Sequence, residues 1–305
     1  MSLFSLLPGR KGIPKLAGKV VVITGAASGI GRELALQLAA KGCTLALVDI
    51  DEDRLNALGA HLRESNFVAT THQANVADRD RMAALAAEVA AAHGGIDVLI
   101  NNAGIAYEGP FPQTSLEDWD RMIGVNLWSV IYGCHFFMPY LAKAERGHIV
   151  NLSSLFGIVG MAGQTAYCTT KFAIRGLSES LWEELRATSV GLTVVHPGGI
   201  ATDIMKRAKG DDPELLGRLS DWYERNAMPP HKAAAKIVRA IETGKPRLLI
   251  TPEATLGDML RRVMPVLGNK LFGDAVIRIL GVEDTRQKRS DQWQATMVDE
   301  PGEQA

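Results

Sequence analysis

The sequence is short of cysteine, of net charge and of long apolar runs, and each shortage closes off a class of protein. Cys43, Cys134 and Cys168 are its only cysteines in 305 residues. An odd number without metal-ligand spacing reads as reduced thiols in a cytosol-like compartment, not as a disulfide framework. A core of this size needs neither disulfides nor metals. Lysine and arginine total 33 against 34 aspartates and glutamates, a formal net charge of −1. That balance offers no electrostatic footprint for nucleic acid. No run of eighteen apolar residues exists, so no transmembrane helix is expected. The seven histidines (61, 72, 93, 135, 148, 196 and 231) show no paired ligand spacing, and no metal site is assigned. There is no Gly-x-Ser-x-Gly elbow and no Walker loop, so hydrolase and phosphotransferase readings have no support. The apolar start, Met1 to Pro8, lacks the basic n-region and small-residue cleavage site of a secretory signal. Residues 1–15 read as a loosely ordered N-terminal arm, with a membrane or partner foot as the alternative.

What is present is ordinary globular composition, 47% apolar and 22% charged. Short β-branched runs alternate with helical patterns along most of the chain. Strands are expected at 19–24, 44–48, 67–72, 97–100, 148–152, 192–195 and 247–250. Helices are expected near 29–40, 52–64, 78–92, 115–142 and 165–187, with a helical region between 203 and 242. Such alternation means βαβ units: an α/β, doubly wound Rossmann-type parallel sheet of about seven strands with helices on both faces. Residues 16–250 form this unit, with a substrate lid at about 203–228. Residues 251–282 read as a helical extension broken at Pro265, and 283–305 as a polar tail. The extension places Arg261, Arg262, Lys270 and Arg278 among apolar residues at helical spacing. It fits helices packed on the domain or a partner subunit, or a membrane-surface patch.

Ligands of such sheets bind beyond the carboxyl ends of the strands, and the distinctive clusters all fall there. Thr24-Gly25-Ala26-Ala27-Ser28-Gly29-Ile30-Gly31 joins the first strand to the first helix. Its glycines allow a tight turn and close approach of a pyrophosphate to the helix N-terminus. Asp49 closes the second strand about twenty residues on, where a carboxylate accepts hydrogen bonds from ribose hydroxyls and repels a 2′-phosphate. NAD is therefore expected as cofactor in preference to NADP.

Tyr167 and Lys171 lie four apart, on one face of a helix. A phenol normally holds its proton to about pH 10, too tightly for work near neutrality. A neighbouring ammonium favours the phenolate, so the pair is expected to act as a tuned proton donor and acceptor.

With these motifs in order, residues 16–250 resemble the short-chain dehydrogenase/reductase family. Thr24-Gly-x-x-x-Gly29-Ile30-Gly31 looks like its cofactor loop, and Asn101-Asn102-Ala103-Gly104 like the motif that steadies the sheet beside the adenosine. Asn126, in Val125-Asn126-Leu127, matches the catalytic asparagine. Ser154, thirteen residues before Tyr167, matches the catalytic serine, with Ser153 as the competitor. Tyr167 and Lys171 match the catalytic pair. Pro197-Gly198, with Ile200 and Thr202, matches the segment that closes on the nicotinamide. One departure is visible: Asn75-Val76 stands where the family usually has an aspartate at the adenine, and asparagine keeps an acceptor while adding a donor.

The resemblance implies hydride transfer between NAD(H) and a secondary alcohol or ketone. Tyr167 would move the proton, Ser154 would hydrogen-bond the oxygen, Lys171 would hold the nicotinamide ribose, and Asn126 would hold a water linking Lys171 to solvent. Phe156, Val159, Met161 and Gln164, with the 203–228 segment, suggest a pocket for a hydrophobic substrate of steroid, lipid or acyl type. The resemblance also implies a homodimer or homotetramer joined through the 115–142 and 165–187 helices. Two alternatives stay open: an NADP-dependent 3-ketoacyl or steroid reductase, and a dinucleotide-binding redox sensor without turnover.

Overall fold

A computed structural model describes residues 11–281. The first strand, β1 (Val20–Thr24), is buried along its whole length. Its Val21 and Ile23 point to one face of the sheet and Val22 to the other, as strand alternation requires. After it come α1 (Gly29–Ala40), β2 (Thr44–Asp49), α2 (Glu52–Glu64), β3 (Ala69–Gln73), α3 (Arg79–His93) and β4 (Val98–Asn101). A two-residue strand, β5 (Tyr107–Glu108), precedes α4 (Leu116–Met122) and α5 (Ser129–Leu141). The second half holds β6 (Gly147–Leu152), α6 (Thr165–Glu184), β7 (Val190–His196), β8 (Lys209–Gly210), α7 (Pro213–Asn226), α8 (Pro230–Thr243) and β9 (Arg247–Leu249). Two further helices, α9 (Pro252–Val263) and α10 (Leu267–Leu280), follow.

Seven strands form one parallel sheet in the order β3-β2-β1-β4-β6-β7-β9. Helices α1, α2 and α8 supply one apolar layer, and α3, α5 and α6 the other. This is the doubly wound Rossmann-type sheet expected from the sequence. The strand order reverses between β1 and β4, which opens a crevice at their carboxyl ends.

The structure departs from the sequence reading in local places. The third strand begins at Ala69, two residues late. The 115–142 stretch is not one uniform helix, because a wider π-helical turn spans Ile123–Trp128 between α4 and α5. Such turns occur frequently at functional sites, and this one holds Asn126. β5 pairs in parallel with β8 and ties the loop after β4 to the segment after β7. Two-residue strands carry no periodicity, so this pair was not anticipated. Beyond β9, Leu155, Ile158 and Val159 pack against Ala254 of α9 and Phe272 of α10. Both helices therefore sit over the loop after β6. Among the described residues, no helix is long and apolar enough to cross a membrane.

Candidate active site

Thr24 and Asn102 lock the ends of β1 and β4 together. The Thr24 hydroxyl accepts from the backbone N–H groups of Asn102 and Ala103 at 3.0 and 3.1 Å. The Asn102 side chain donates to the carbonyls of Thr24 and Gly25 at 2.9 and 3.0 Å. The glycine loop is built around this lock. Gly25 has φ +65° and Gly29 φ +54°, a region that favours glycine. A Cβ on Gly31 would stand 2.1 Å from the Gly25 carbonyl oxygen. The first turn of α1 carries no acid, and Ser28 makes no side-chain cap bond. By contrast, α2 opens with Glu52 and Asp53. The open N–H groups and positive end of α1 thus suit a pyrophosphate.

Asp49 braces the other wall. Its carboxylate accepts from the N–H of Ala27 at 2.9 Å and of Asp51 at 3.1 Å. Beside it Ile50 is 65% exposed. Asn75 lines the cleft, and its side-chain oxygen accepts from the Ala77 N–H at 3.0 Å.

The loop after β6 turns the two serines to different tasks. The Ser153 hydroxyl is buried and donates to the Lys171 carbonyl at 2.8 Å. The Ser154 hydroxyl accepts from the Phe156 N–H at 3.1 Å and lines the cleft together with Tyr167. Both serines line the cleft, but Ser153 commits its proton to the backbone, which favours Ser154 as the donor to a ligand. Helix α6 presents Tyr167 and, one turn on, Lys171, whose Nζ lies 5.5 Å from the Tyr167 ring centroid. That ammonium donates to the Leu152 carbonyl at 3.0 Å, and burial pushes it down to about 8. Burial also pushes the Tyr167 phenol above its ordinary value, with the neighbouring Ser154 hydroxyl pulling the other way. Burial is the largest influence on this phenol.

Asn126 lies beneath the cleft. Its side chain is fully buried; it accepts from the Ile105 N–H at 2.8 Å and donates to the Ile105 carbonyl at 3.0 Å and the Thr170 hydroxyl at 3.3 Å. All of its side-chain groups are thus engaged in pinning the loop after β4 against α6.

One cleft of about 1240 Å³ gathers these parts. Its lining includes Gly25, Ser28, Gly29, Ile30, Asp49, Asn75, Val76, Asn102, Ala103, Gly104, Ser154, Tyr167, Lys171, Pro197, Gly198, Ile200 and Thr202. Of the residues singled out in the sequence, Thr24, Gly31 and Asn126 stand behind this lining as supports. The volume exceeds that of a single drug-sized ligand, so a dinucleotide and a substrate have room together. Phe156, Met161 and Gln164 line the cleft as expected, but Val159 is buried in the packing under α9 and α10.

The sequence reading missed a group on the substrate side. Glu108 is buried, accepts from the Gln164 side-chain amide and lines the cleft. The Tyr107 hydroxyl beneath it meets Asp211 at 3.2 Å. Tyr223 is pushed up to about 12, mainly by burial, with Glu108 and Glu253 adding to it. Glu253, at the start of α9, accepts from the Gly199 N–H at 3.0 Å and so holds the Pro197 to Ile200 loop. The one available signal was that Tyr107-Glu108 follows Asn102 on the same sheet edge.

The chain compares closely with known proteins. A family model described as short chain dehydrogenase matches residues 19–213. A Mycobacterium tuberculosis protein named as the oxidoreductase SadH is 40% identical over 258 residues, covering 81% of this chain and 91% of its own length. The 3-oxoacyl-[acyl-carrier-protein] reductase FabG of Thermotoga maritima is 37% identical over 193 residues, covering 63% of this chain and 78% of its own. A short-chain dehydrogenase/reductase from Burkholderia phymatum, solved in complex with NAD, superposes with a TM-score of 0.78 at 29% identity, covering 83% of this chain and 96% of that one. Motifs, fold and relatives agree: the chain belongs to the short-chain dehydrogenase/reductase family and is an NAD(P)-dependent oxidoreductase acting on CH–OH groups.

Proposed function

We propose that the protein interconverts a hydrophobic secondary alcohol and its ketone with NAD(H), through Ser154, Tyr167 and Lys171. The observation that carries this reading is the single cleft that sets these three side chains on the same sheet edge as the glycine loop. The bound dinucleotide supplies and accepts the hydride. Tyr167 gives its phenolic proton to a ketone oxygen, and the protonated form that burial favours is the donor form. Ser154 hydrogen-bonds the same oxygen as charge develops on it. Lys171 holds positive charge under the phenol and offers its remaining N–H groups to the nicotinamide ribose. Asn126 positions Lys171 indirectly, by fixing Ile105 and Thr170.

Asp49 supports NAD. Around that corner Arg54 is paired with Asp51 and Asp203 at 3.4 and 3.3 Å, and Arg207 faces Asp51 at 3.9 Å. One observation favours NADP instead: a recess of about 310 Å³ behind Ala27 is lined by Arg32, Arg54 and His61. A solved relative bound to NADP, from a metagenomic source, is 32% identical.

Ile204, Met205, Leu219, Trp222 and Val276 make the substrate wall apolar. A homo-oligomer is supported by α5, where Trp128 stacks on Tyr132 at 5.5 Å between centroids and Phe136 continues the row. The three buried, reduced cysteines fit a cytoplasmic setting.

The test is a panel of hydrophobic secondary alcohols and ketones assayed with both cofactors. Tyr167→Phe should lose at least about 100-fold in kcat with its fold intact. Retained turnover in that variant sinks the mechanism, and equal kcat/KM with NAD and NADP sinks the cofactor choice.

A further inference from the structure

Helices α9 and α10 each leave one face uncovered. On α9 the outward row includes Leu256, Met259 and Val263, at spacings of three and four. The turn between the helices adds Val266, 84% exposed, and Leu267. On α10 the row runs through Leu271 to Ile279, 64% exposed. This is a contiguous apolar strip on a chain whose other large exposed apolar residues are scattered, and such strips mark interaction sites.

The charges around the strip are sorted by sign. Arg262, Lys270 and Arg278 are exposed, and no exposed residue between 252 and 281 is acidic. The three acids of the segment are withdrawn. Glu253 accepts from the Gly199 N–H. Asp258 is buried in a two-point bond with Arg247, 2.6 and 2.7 Å, and also accepts from Arg262. Asp274 is half-buried and partnered. A self-complementary contact between two copies would bring this basic strip against itself. An apolar row edged with only arginine and lysine instead matches a lipid surface with acidic headgroups.

The strip also leads to the cleft. Val276, Ile279 and Leu280 of α10 line the cavity that holds Tyr167. Ile279 thus belongs both to the exposed strip and to the cavity wall.

We propose that α9 and α10 dock this protein on anionic bilayer surfaces, with the substrate mouth turned toward the lipid. The docking rests on the helices alone; only its link to substrate entry rests on the reading of the cleft given above. Docked in this way, the apolar row sits at the headgroup–acyl boundary while Lys270 and Arg278 meet lipid phosphates. An apolar alcohol or ketone then reaches Tyr167 without crossing water.

The experiment is co-sedimentation of the full-length protein with vesicles of phosphatidylcholine alone and of phosphatidylcholine mixed with phosphatidylglycerol. The wild type should bind the mixed vesicles at least about tenfold more tightly and be released by salt. Met259→Asp/Val263→Asp and Lys270→Glu/Arg278→Glu should each weaken that binding about tenfold or more. Both variants alter exposed side chains outside the catalytic cleft, so circular dichroism and turnover of a water-soluble substrate should stay at wild-type values. No binding by the wild type, or equal binding to both vesicle types, overturns the proposal. So does a fall in the mass of the Met259→Asp/Val263→Asp variant by light scattering, which would assign the face to a second copy. Because vesicle binding is read without turnover, its failure is separate from failure of the hydride-transfer reading.

Discussion

An ammonium buried without a carboxylate opposes folding, and Lys171 is such a group: it is 4% exposed, bonds the Leu152 carbonyl, and has no ion pair among the described residues. Its pKa falls from 10.5 to about 8 through burial. Below about 8 both folded and unfolded chains carry the proton, and the buried charge costs on the order of 3 kcal/mol. Between about 8 and 10.5 the folded chain has released the proton and the unfolded chain keeps it, so this cost disappears as pH rises. Lys171→Met should therefore be the more stable protein at neutral pH, by roughly 1–3 kcal/mol, and inactive. Its advantage over wild type, measured by urea unfolding, should shrink toward pH 10.5. An advantage that does not change with pH would show that the charge is not the cause. Tyr167 adds the opposite sign: its raised pKa keeps the proton on in the fold, so its contribution fades only above the unfolded value of 10.

At the scale of elements, two loops depend on neighbours far along the chain. The turn into α1 closes only because Gly31 has no Cβ; one there would meet the Gly25 carbonyl at 2.1 Å and the Asn102 amide at 2.6 Å. Gly31→Ala should weaken dinucleotide binding at least about tenfold, by calorimetry, while the sheet persists. The Gly25 backbone on one side, and on the other an Asn102 amide held by two carbonyls, leave the turn little room to relax. The Pro197 to Ile200 loop depends on α9, because Glu253 takes the Gly199 N–H. Glu253→Ala should raise the cofactor KM several-fold with a smaller change in kcat, and Glu253→Gln should recover most of it, since an amide oxygen still accepts. If Gln and Ala behave alike, the carboxylate does not position the loop. These two cases differ in legibility. The Gly31 turn was readable because glycine spacing after a buried strand has one physical meaning. The Glu253 contact was not, since a bond between residues 54 apart leaves no local pattern. The β5–β8 pair and the π turn at Asn126 escaped for the same reason: each is imposed by packing across the sheet edge, not by the period of its own residues.

For the whole molecule, the sheet was legible because its central strands β1, β2 and β4 are buried along nearly their whole length and read as apolar runs. The cleft followed, since every motif lay at a strand's carboxyl end. How the outer surface is used was less legible, because exposed apolar residues on a helix look the same in sequence as buried ones. Trp128 is the case in point. It is 46% exposed just before α5, at the head of a row with Tyr132 and Phe136. Aromatic side chains bring large apolar area at little entropic cost and dominate subunit contacts. An isologous contact would apply the row twice, once from each copy. The particle in solution should therefore be a dimer or larger by light scattering. Trp128→Glu should shift it toward monomer while turnover per chain falls less than about tenfold, because the cleft closes within one chain. A monomeric wild type would remove the role of α5, and an unshifted Trp128→Glu would move the contact elsewhere.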